Sequence, residues 1–572
     1  MALVCGVECP EDIIVLIFEE ILDLFTEETT RHRCNRLLTL THVCRGWRNA
    51  ALGVSSLWSV LAYHDDPLVV REWLRRSRTS PLTLHFDDMP LTRIGVYSLE
   101  LAPHVERITE LSLPNTKLLS RISRTVNGHV ALKLTKLSLE TYRRGGTSSK
   151  LDFLCPQLTH LTVRDDNSLY KSWSLPPSVR HLIVWSQIGE PDDIRLPVSR
   201  ILTVLRQVPD LESWTWDLRH SVEISVGRPE VVTLPKLRNL ALIGFHPEEL
   251  QILLALSFPA LHCMDLEITL ETPQVDEVQS QLSDVFDILS PHLASLNSAE
   301  PKFDALAVEV VLNWEDGMGV MFDLHRPHSA NEQDKHKGSN KSLSSSNSLR
   351  IKFEEITMPD PDWERFEINH GPVNAPWLTS LPRHLFDALP SLAHSVRTLR
   401  INLDCEYFVR HHQFPYFPAE IYARLRGLET IYFMTTCCEE RLDSTATGTH
   451  EAFSAMVTWV EGDQSRCCTL PNLRSVVYTR HQFTTKNIRE IARALKSRRS
   501  CGVPRITITF DDCVLDNMSE DVRQKMLNIL RKYATIVDAD QLRPWCTTST
   551  DDSSGSESEE IVEMFRKLAV QT

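Results

Sequence analysis

The sequence predicts an α+β chain: a small helical module at the N-terminus, then an α/β solenoid of short strands and return segments, interrupted near mid-chain. Three observations lead there. The first sixty residues place apolar side chains at helical spacing. From residue 108 onward one six-residue pattern, apolar-x-x-apolar-x-apolar, recurs through the chain. Near residues 301–350 that pattern lapses into a polar, serine-rich stretch.

Length and charge narrow the function. A chain of 572 residues exceeds what one hydrophobic core organises, so several domains or a repeat array are expected. With 61 basic against 76 acidic residues the net charge is −15, which opposes a nucleic-acid partner. The fourteen cysteines include no CxxC and no regular spacing. "MALVCGVECPEDII" lacks a basic start, and no apolar run approaches the roughly 20 residues that cross a bilayer. A cytoplasmic or nuclear setting with reduced thiols and no membrane partner is expected.

The helical module is taken as residues 1–62. In "CPEDIIVLIFEEILDLF", Pro10 suits a helix start, and Glu11 and Asp12 suit the positive end of the helix dipole. Ile14, Ile17, Phe18, Ile21, Leu22 and Phe25 form one apolar face, and Ile13, Leu16 and Leu24 widen it. A polar loop, "TEETTRHRCNR", is expected next, then a helix with the stripe Leu37, Leu40, Cys44, Trp47 and Ala51, flanked by Val43 and Ala50. Leu57 and Trp58 follow the break "LGVSS". Trp47 and Trp58 read either as local core or as anchors of a docking surface. A module this small with apolar residues on more than one side usually covers them with a partner.

These residues resemble the F-box family. The family pattern, Leu-Pro-x-Glu-(Ile/Leu)-(Ile/Leu)-x-x-Ile-(Phe/Leu), then Val-Cys-(Arg/Lys)-x-Trp, then Leu-Trp, is matched by Pro10, Ile14, Ile17, Phe18 and Leu22, by Val43, Cys44 and Trp47, and by Leu57 and Trp58. Cys9 stands where leucine is usual, Asp12 where glutamate is usual, and the loop Thr26 to Arg36 is longer than the common form. "VVREWLRRSRTSPLTLHF" and "LAPHVERITELSL" resemble the continuation found in fungal F-box proteins, where the box runs into leucine-rich-repeat-like strands. The resemblance implies docking on a Skp-type adaptor, and through it a cullin, by Pro10, Ile13, Ile14, Ile17, Phe18, Leu22, Leu40, Val43, Cys44, Trp47 and Trp58, on a face centred on Ile14, Ile17 and Leu22.

The repeating part reads ITELSL, LTKLSL, LTHLTV, VRHLIV, LESWTW, LRNLAL and LHCMDL, with central apolar positions 111, 137, 161, 182, 214, 240 and 264. The gaps, 21 to 32 residues, are close to the leucine-rich-repeat period. One strand and one return segment cannot bury their own apolar face, so copies must stack. The signature returns as VRTLRI, LETIYF, LRSVVY and RITITF. Proline precedes many copies ("CPQL", "VPDL", "LPKL", "FPAL", "LPNL"), which ends the preceding segment without requiring a donor. A first arc over 63–300 and a second over 351–545 are expected. Between them, 301–350 reads as a hairpin, "ALAVEVVLNWEDGMGVMFDLH", and a disordered loop, with "LRIKFEEI" as another strand. Residues 546–572 read as an acidic, serine-rich tail, disordered and phosphorylatable over 547–560, ending in a short helix.

Catalytic motifs are missing: no P-loop, dinucleotide glycine turn, GxSxG or HExxH occurs. The acidic pairs Asp87–Asp88, Asp165–Asp166 and Asp511–Asp512 follow strands and read as caps. His411–His412 and the run from Cys437 to Glu440 lack metal-finger spacing. No enzyme activity, cofactor or metal is expected. The resemblance implies the target-recognition subunit of a Skp-cullin-F-box ubiquitin ligase; the alternative is a leucine-rich-repeat scaffold that binds the adaptor outside any ligase. Strand alternation buries the fourth and sixth signature positions and leaves the third and fifth for a target protein. Of these, His160, His181, Asn239, Asp265, Arg400 and Tyr432 are the candidate target-binding residues, with His160 and His181 on adjacent strands.

Overall fold

A computed structural model of the chain describes residues 2–4, 7–23, 30–114, 118, 121–122, 133–139, 155–164, 174–185, 196–217, 222–223, 230–270, 275–298, 303–313, 317–326, 348–355, 376–403, 422, 424–435, 470–515 and 520–544. It combines helices with a large, mostly parallel sheet. Two compact units divide the chain: Met1–Phe303 with Asn313–Pro361 and His384–Ser391, and Asp304–Leu312 with Asp362–Arg383 and Leu392–Thr572. The 301–350 loop from residue 327 to 347, His411–His412, the Cys437–Glu440 run and the 546–572 tail lie outside the described residues.

In the first unit, a parallel ladder runs through Val60–Ala62, Leu82–His85, Ile108–Leu113, Lys136–Leu139, His160–Val163, His181–Trp185, Ser213–Asp217, Asn239–Phe245, Cys263–Leu270 and Ser348–Glu355. Gly317–His325 runs antiparallel beside Ser348–Glu355. The signature copies align without slippage at their centres. Leu111 pairs with Leu137, then Leu161, Leu182, Trp214, Leu240 and Met264 follow in one row. The fourth and sixth positions are buried in every one of these seven copies, Trp214 and Trp216 included. A one-residue slip would turn each apolar pair outward, so burial itself enforces the register.

The second unit repeats the arrangement. Ala305–Asn313, Thr398–Leu403, Thr430–Thr435, Ser475–Thr479, Thr507–Asp511 and Thr535–Val537 pair in parallel. Ala305–Asn313 lies beside Thr398–Leu403, and Gly317–His325 lies beside Ser348–Glu355. Return segments also pair, as in Val232–Thr233 with Leu256–Ser257 and in Gln482–Phe483, Cys513–Leu515 and Leu542–Pro544. "EELQILLALS" forms a 3-10 segment, Glu249–Ala255, rather than an α-helix.

The proline cue has a sharper role than segment ending. In each motif a turn closes from the leucine amide to the carbonyl three residues back: Leu158 to Cys155 (3.1 Å), Leu211 to Val208 (3.1 Å), Leu237 to Leu234 (3.3 Å), Leu261 to Phe258 (3.2 Å) and Leu473 to Leu470 (3.3 Å). Proline sits second in that turn, where its fixed φ is already suitable. At the second signature position, charges alternate on successive strands: Arg180, Glu212, Arg238, and in the other unit Arg397, Glu429, Arg474. Arg180 reaches Glu212 at 3.2 Å and Arg397 reaches Glu429 at 3.9 Å.

Arginine side chains also bind backbone carbonyls around turns. Arg498, buried near the end of helix Thr485–Ser500, donates to Leu473 O at 2.8 Å and to Leu470 O. Arg523 does the same for Ala539 O and Leu542 O, at 2.8 and 3.0 Å. Arg498→Met keeps the stem but removes the guanidinium's bonds to Leu470 O and Leu473 O, so a loss of about 2 kcal/mol is expected in thermal unfolding. An unmoved transition would show that water replaces the guanidinium at no cost.

Candidate functional site

The helical module comprises α1 (Glu11–Asp23), α2 (Thr30–Val43) and α3 (Arg45–Gly53), then a 3-10 turn Ser55–Trp58. Pro10 lies just before α1, and its carbonyl accepts from Ile14 N at 3.2 Å. The helix α2 begins at Thr30, so most of the stretch expected as a polar loop is helical. Arg31, His32 and Asn35 face solvent while Leu37, Leu40 and Thr41 point inward.

Burial sorts the expected adaptor-binding residues into two groups. Ile14, Phe18, Leu22, Leu40 and Trp58 are buried, so the face centred on Ile14, Ile17 and Leu22 is corrected: two of its three residues belong to the core. Positions 14, 18 and 22 form the narrow i, i+4 stripe that α2 and α3 cover. Cys44 and Trp47 are half-buried and structural. The Cys44 thiol caps α3, accepting from Trp47 N at 3.4 Å, and the Trp47 ring meets Phe18 edge-on at 5.1 Å. What remains accessible is Pro10, Ile13 (42% exposed), Leu16 (58%) and Val43 (58%), with Ile17 half-buried beside them. Leu16 belongs with Ile13, one turn along the same flank of α1.

The second surface is the side of the first unit's sheet opposite its apolar layer. Register sets its third-position row as Glu110, Lys136, His160, His181, Ser213, Asn239, Cys263. The fifth-position row is Ser112, Ser138, Thr162, Ile183, Thr215, Ala241, Asp265 and then Arg350. His160 and His181 do meet: their rings stack with centroids 4.2 Å apart and planes 17° from parallel. Burial first, then the like charges of His181 and Lys136, lower the pKa of His160. Asn239 is exposed two strands beyond His181. In the second unit, the Arg400 guanidinium lies 5.3 Å from the Tyr432 ring centroid.

Asp265 proves to be part of a charge strip that sequence reasoning did not find. Arg350 stands 3.8 Å from Asp265 and 3.2 Å from Asp323, His325 stands 3.4 Å from Asp323, and Lys352 faces Glu267 at 3.7 Å. Burial works against the Asp323 carboxylate, yet the His325 hydrogen bond and Arg350 hold its pKa below the usual range. Burial raises that of Asp265, with Arg350 opposing. Alternation within "LRIKFEE" was the available signal: with Leu349, Ile351 and Phe353 inward, Arg350 and Lys352 must face out. At the other end, Lys136 pairs with Glu110 at 2.8 Å. Between these paired charges the third-position row carries His160, His181, Ser213 and Asn239.

Among the described residues no group of three or more His, Cys, Asp or Glu is placed to hold a metal, and no helix is long and apolar enough to cross a membrane. No family model and no curated protein matches the chain.

Proposed function

We propose that this chain is an F-box substrate receptor whose leucine-rich-repeat-like solenoid holds a target protein for a Skp-cullin-F-box ubiquitin ligase. The observation that carries the reading is the second apolar flank of α1. Ile13 and Leu16 stay exposed although Ile14, Phe18, Leu22, Leu37, Leu40, Ala50 and Ala51 already fill the module's core. Apolar surface left over after the core is complete is what a partner covers. The match of Pro10, Val43, Cys44, Trp47, Leu57 and Trp58 to the F-box pattern supports a Skp-type adaptor as that partner.

In this reading the chain makes and breaks no bonds; it raises the effective concentration of target near the ubiquitin donor. The target surface is the polar run His160, His181, Ser213 and Asn239 of the first unit; in the second unit Arg400 and Tyr432 are separate candidates. The test is the double variant Ile13→Asp, Leu16→Asp in the full chain. Both positions are exposed, so the circular dichroism should hold while adaptor affinity falls at least ~30-fold, as for the loss of an interface anchor of about 2 kcal/mol. Full adaptor recovery with the variant would sink the proposal. Adaptor recovered without cullin from wild type would favour the scaffold alternative instead.

A further inference from the structure

We propose that the exposed cations of the helices Thr485–Ser500 and Glu520–Arg531 seat the chain's own acidic segment, residues 551–560. The protein has a net charge of −15, yet Thr485–Ser500 holds Lys486, Arg489, Arg493, Lys496, Arg498 and Arg499 against one carboxylate, Glu490. Both helices belong to the second unit and pack against each other. Their C-terminal ends are tied together: Arg499 donates to Lys532 O at 2.9 Å, and Arg505 donates to Arg531 O.

Those bonds account for two of the cations. A helix C-terminus is the negative end of the dipole, and guanidiniums there satisfy its bare carbonyls. Arg493, Lys496, Lys525 and Lys532 make no such bond, and no ion pair with a described carboxylate. Arg531 engages the neutral Asn528 side chain at 3.4 Å. These five side chains are all exposed. Like charges gathered on one surface repel one another, and an anion laid among them relieves that repulsion.

The occupant is indicated by charge and by tether. "DDSSGSESEE" supplies Asp551, Asp552, Glu557, Glu559 and Glu560 with no cation among them. The strand Leu542–Pro544 pairs with Cys513–Leu515, with Pro544 in register with Leu515. The chain leaves Leu515 to form Glu520–Arg531, so the acidic segment sets out from beside the start of that helix. A helix of twelve residues is about 18 Å long. The chain from Pro544 to Glu557 extends up to about 45 Å, enough to reach every cation on it. Exposed ion pairs are weak singly. A short tether raises the effective concentration into the mM range, so several act together. The contact is electrostatic and requires no fixed fold of the segment.

The inference does not depend on the adaptor or the target and is tested on the full-length, thiol-reduced chain. A water-soluble carbodiimide joins a carboxylate to a lysine amine only where the two touch. Peptide mapping of the monomer should show 551–560 coupled to Lys496, Lys525 or Lys532. That coupling should be at least ~10-fold above coupling to Lys236, which is exposed on the first unit. Raising the salt from about 0.1 to about 1 M shortens the Debye length from about 10 to about 3 Å and should remove the excess. The double variant Arg493→Glu, Arg531→Glu should remove it too, since it reverses two exposed cations and leaves each coupling lysine in place. Circular dichroism checks that the variant folds, and the salt series decides the question if it does not. Coupling spread evenly over the exposed lysines overturns the proposal. So does an excess that survives 1 M salt (a Debye length of about 3 Å) or the folded variant, or coupling found only between two chains.

Discussion

Trp58→Ala should lower the stability of the first unit by about 3–5 kcal/mol, the range for removing a large aromatic from a packed core. Trp58 is 1% exposed, and its indole N–H donates to Ala51 O at 2.8 Å. The Trp73 ring meets it edge-on at 4.7 Å, and the Arg76 guanidinium lies 4.4 Å from its centroid. Trp73 and Arg76 belong to α4 (Pro67–Arg76), so Trp58 joins the helical module to the start of the ladder. Truncation opens a cavity and strands the Ala51 carbonyl at the end of α3. Trp58→Phe should recover most of the packing and lose about 1 kcal/mol, the net worth of the hydrogen bond. Thermal unfolding of the full chain checks both values; a Trp58→Ala transition at the wild-type temperature would rule out this joining role.

Acidification should destabilise the second unit through His481. The residue is 3% exposed, with its ring 4.6 Å from Phe483 and 5.6 Å from Tyr478. Burial pushes its pKa down to about 4. An unfolded histidine takes its proton near pH 6.5. Between those values the unfolded chain binds a proton that the folded chain refuses, which favours unfolding. The contribution is therefore intact above about pH 6.5 and is lost as the pH falls to about 4, roughly 3 kcal/mol in all. In the first unit His85, His104, His160 and His292 are shifted down as well, burial being the largest cause for each. His481→Leu should flatten the decline in unfolding temperature between pH 7 and 4. Parallel curves for the two proteins would remove His481 as its source.

The strands were legible because their burial alternates with a period of two, and because one wrong register would expose seven apolar pairs at once. That logic also located His160 beside His181 and placed Trp214 and Trp216 inside. It failed at Ser112, expected to face a target but buried against Asp87, whose carboxylate accepts from its hydroxyl. In the helical module, periodicity showed that apolar residues surround α1 on more than one side, but not which side the other helices take. Ile14 and Leu16 are equally apolar in sequence; only the packing of α2 and α3 separates the buried residue from the exposed one. The Arg350–Asp323 pair was hidden for a different reason. Its partners are 27 residues apart and meet only because Gly317–His325 runs antiparallel to its neighbour.

Near-identical strands carry a hazard in assembly: a copy that skips its neighbour meets an equally apolar edge one position further on. The alternation Arg180, Glu212, Arg238 bears on that error. If Asn239–Phe245 docked directly on His181–Trp185, Arg238 would lie against Arg180, and the same omission in the other unit would set Arg474 against Arg397. Each correct pair is exposed and contributes only about 0.2–1 kcal/mol, too little to hold a fold together. Yet the sign of the interaction reverses between the right neighbour and the wrong one. The charges thus act as a parity check on the order in which the strands are threaded.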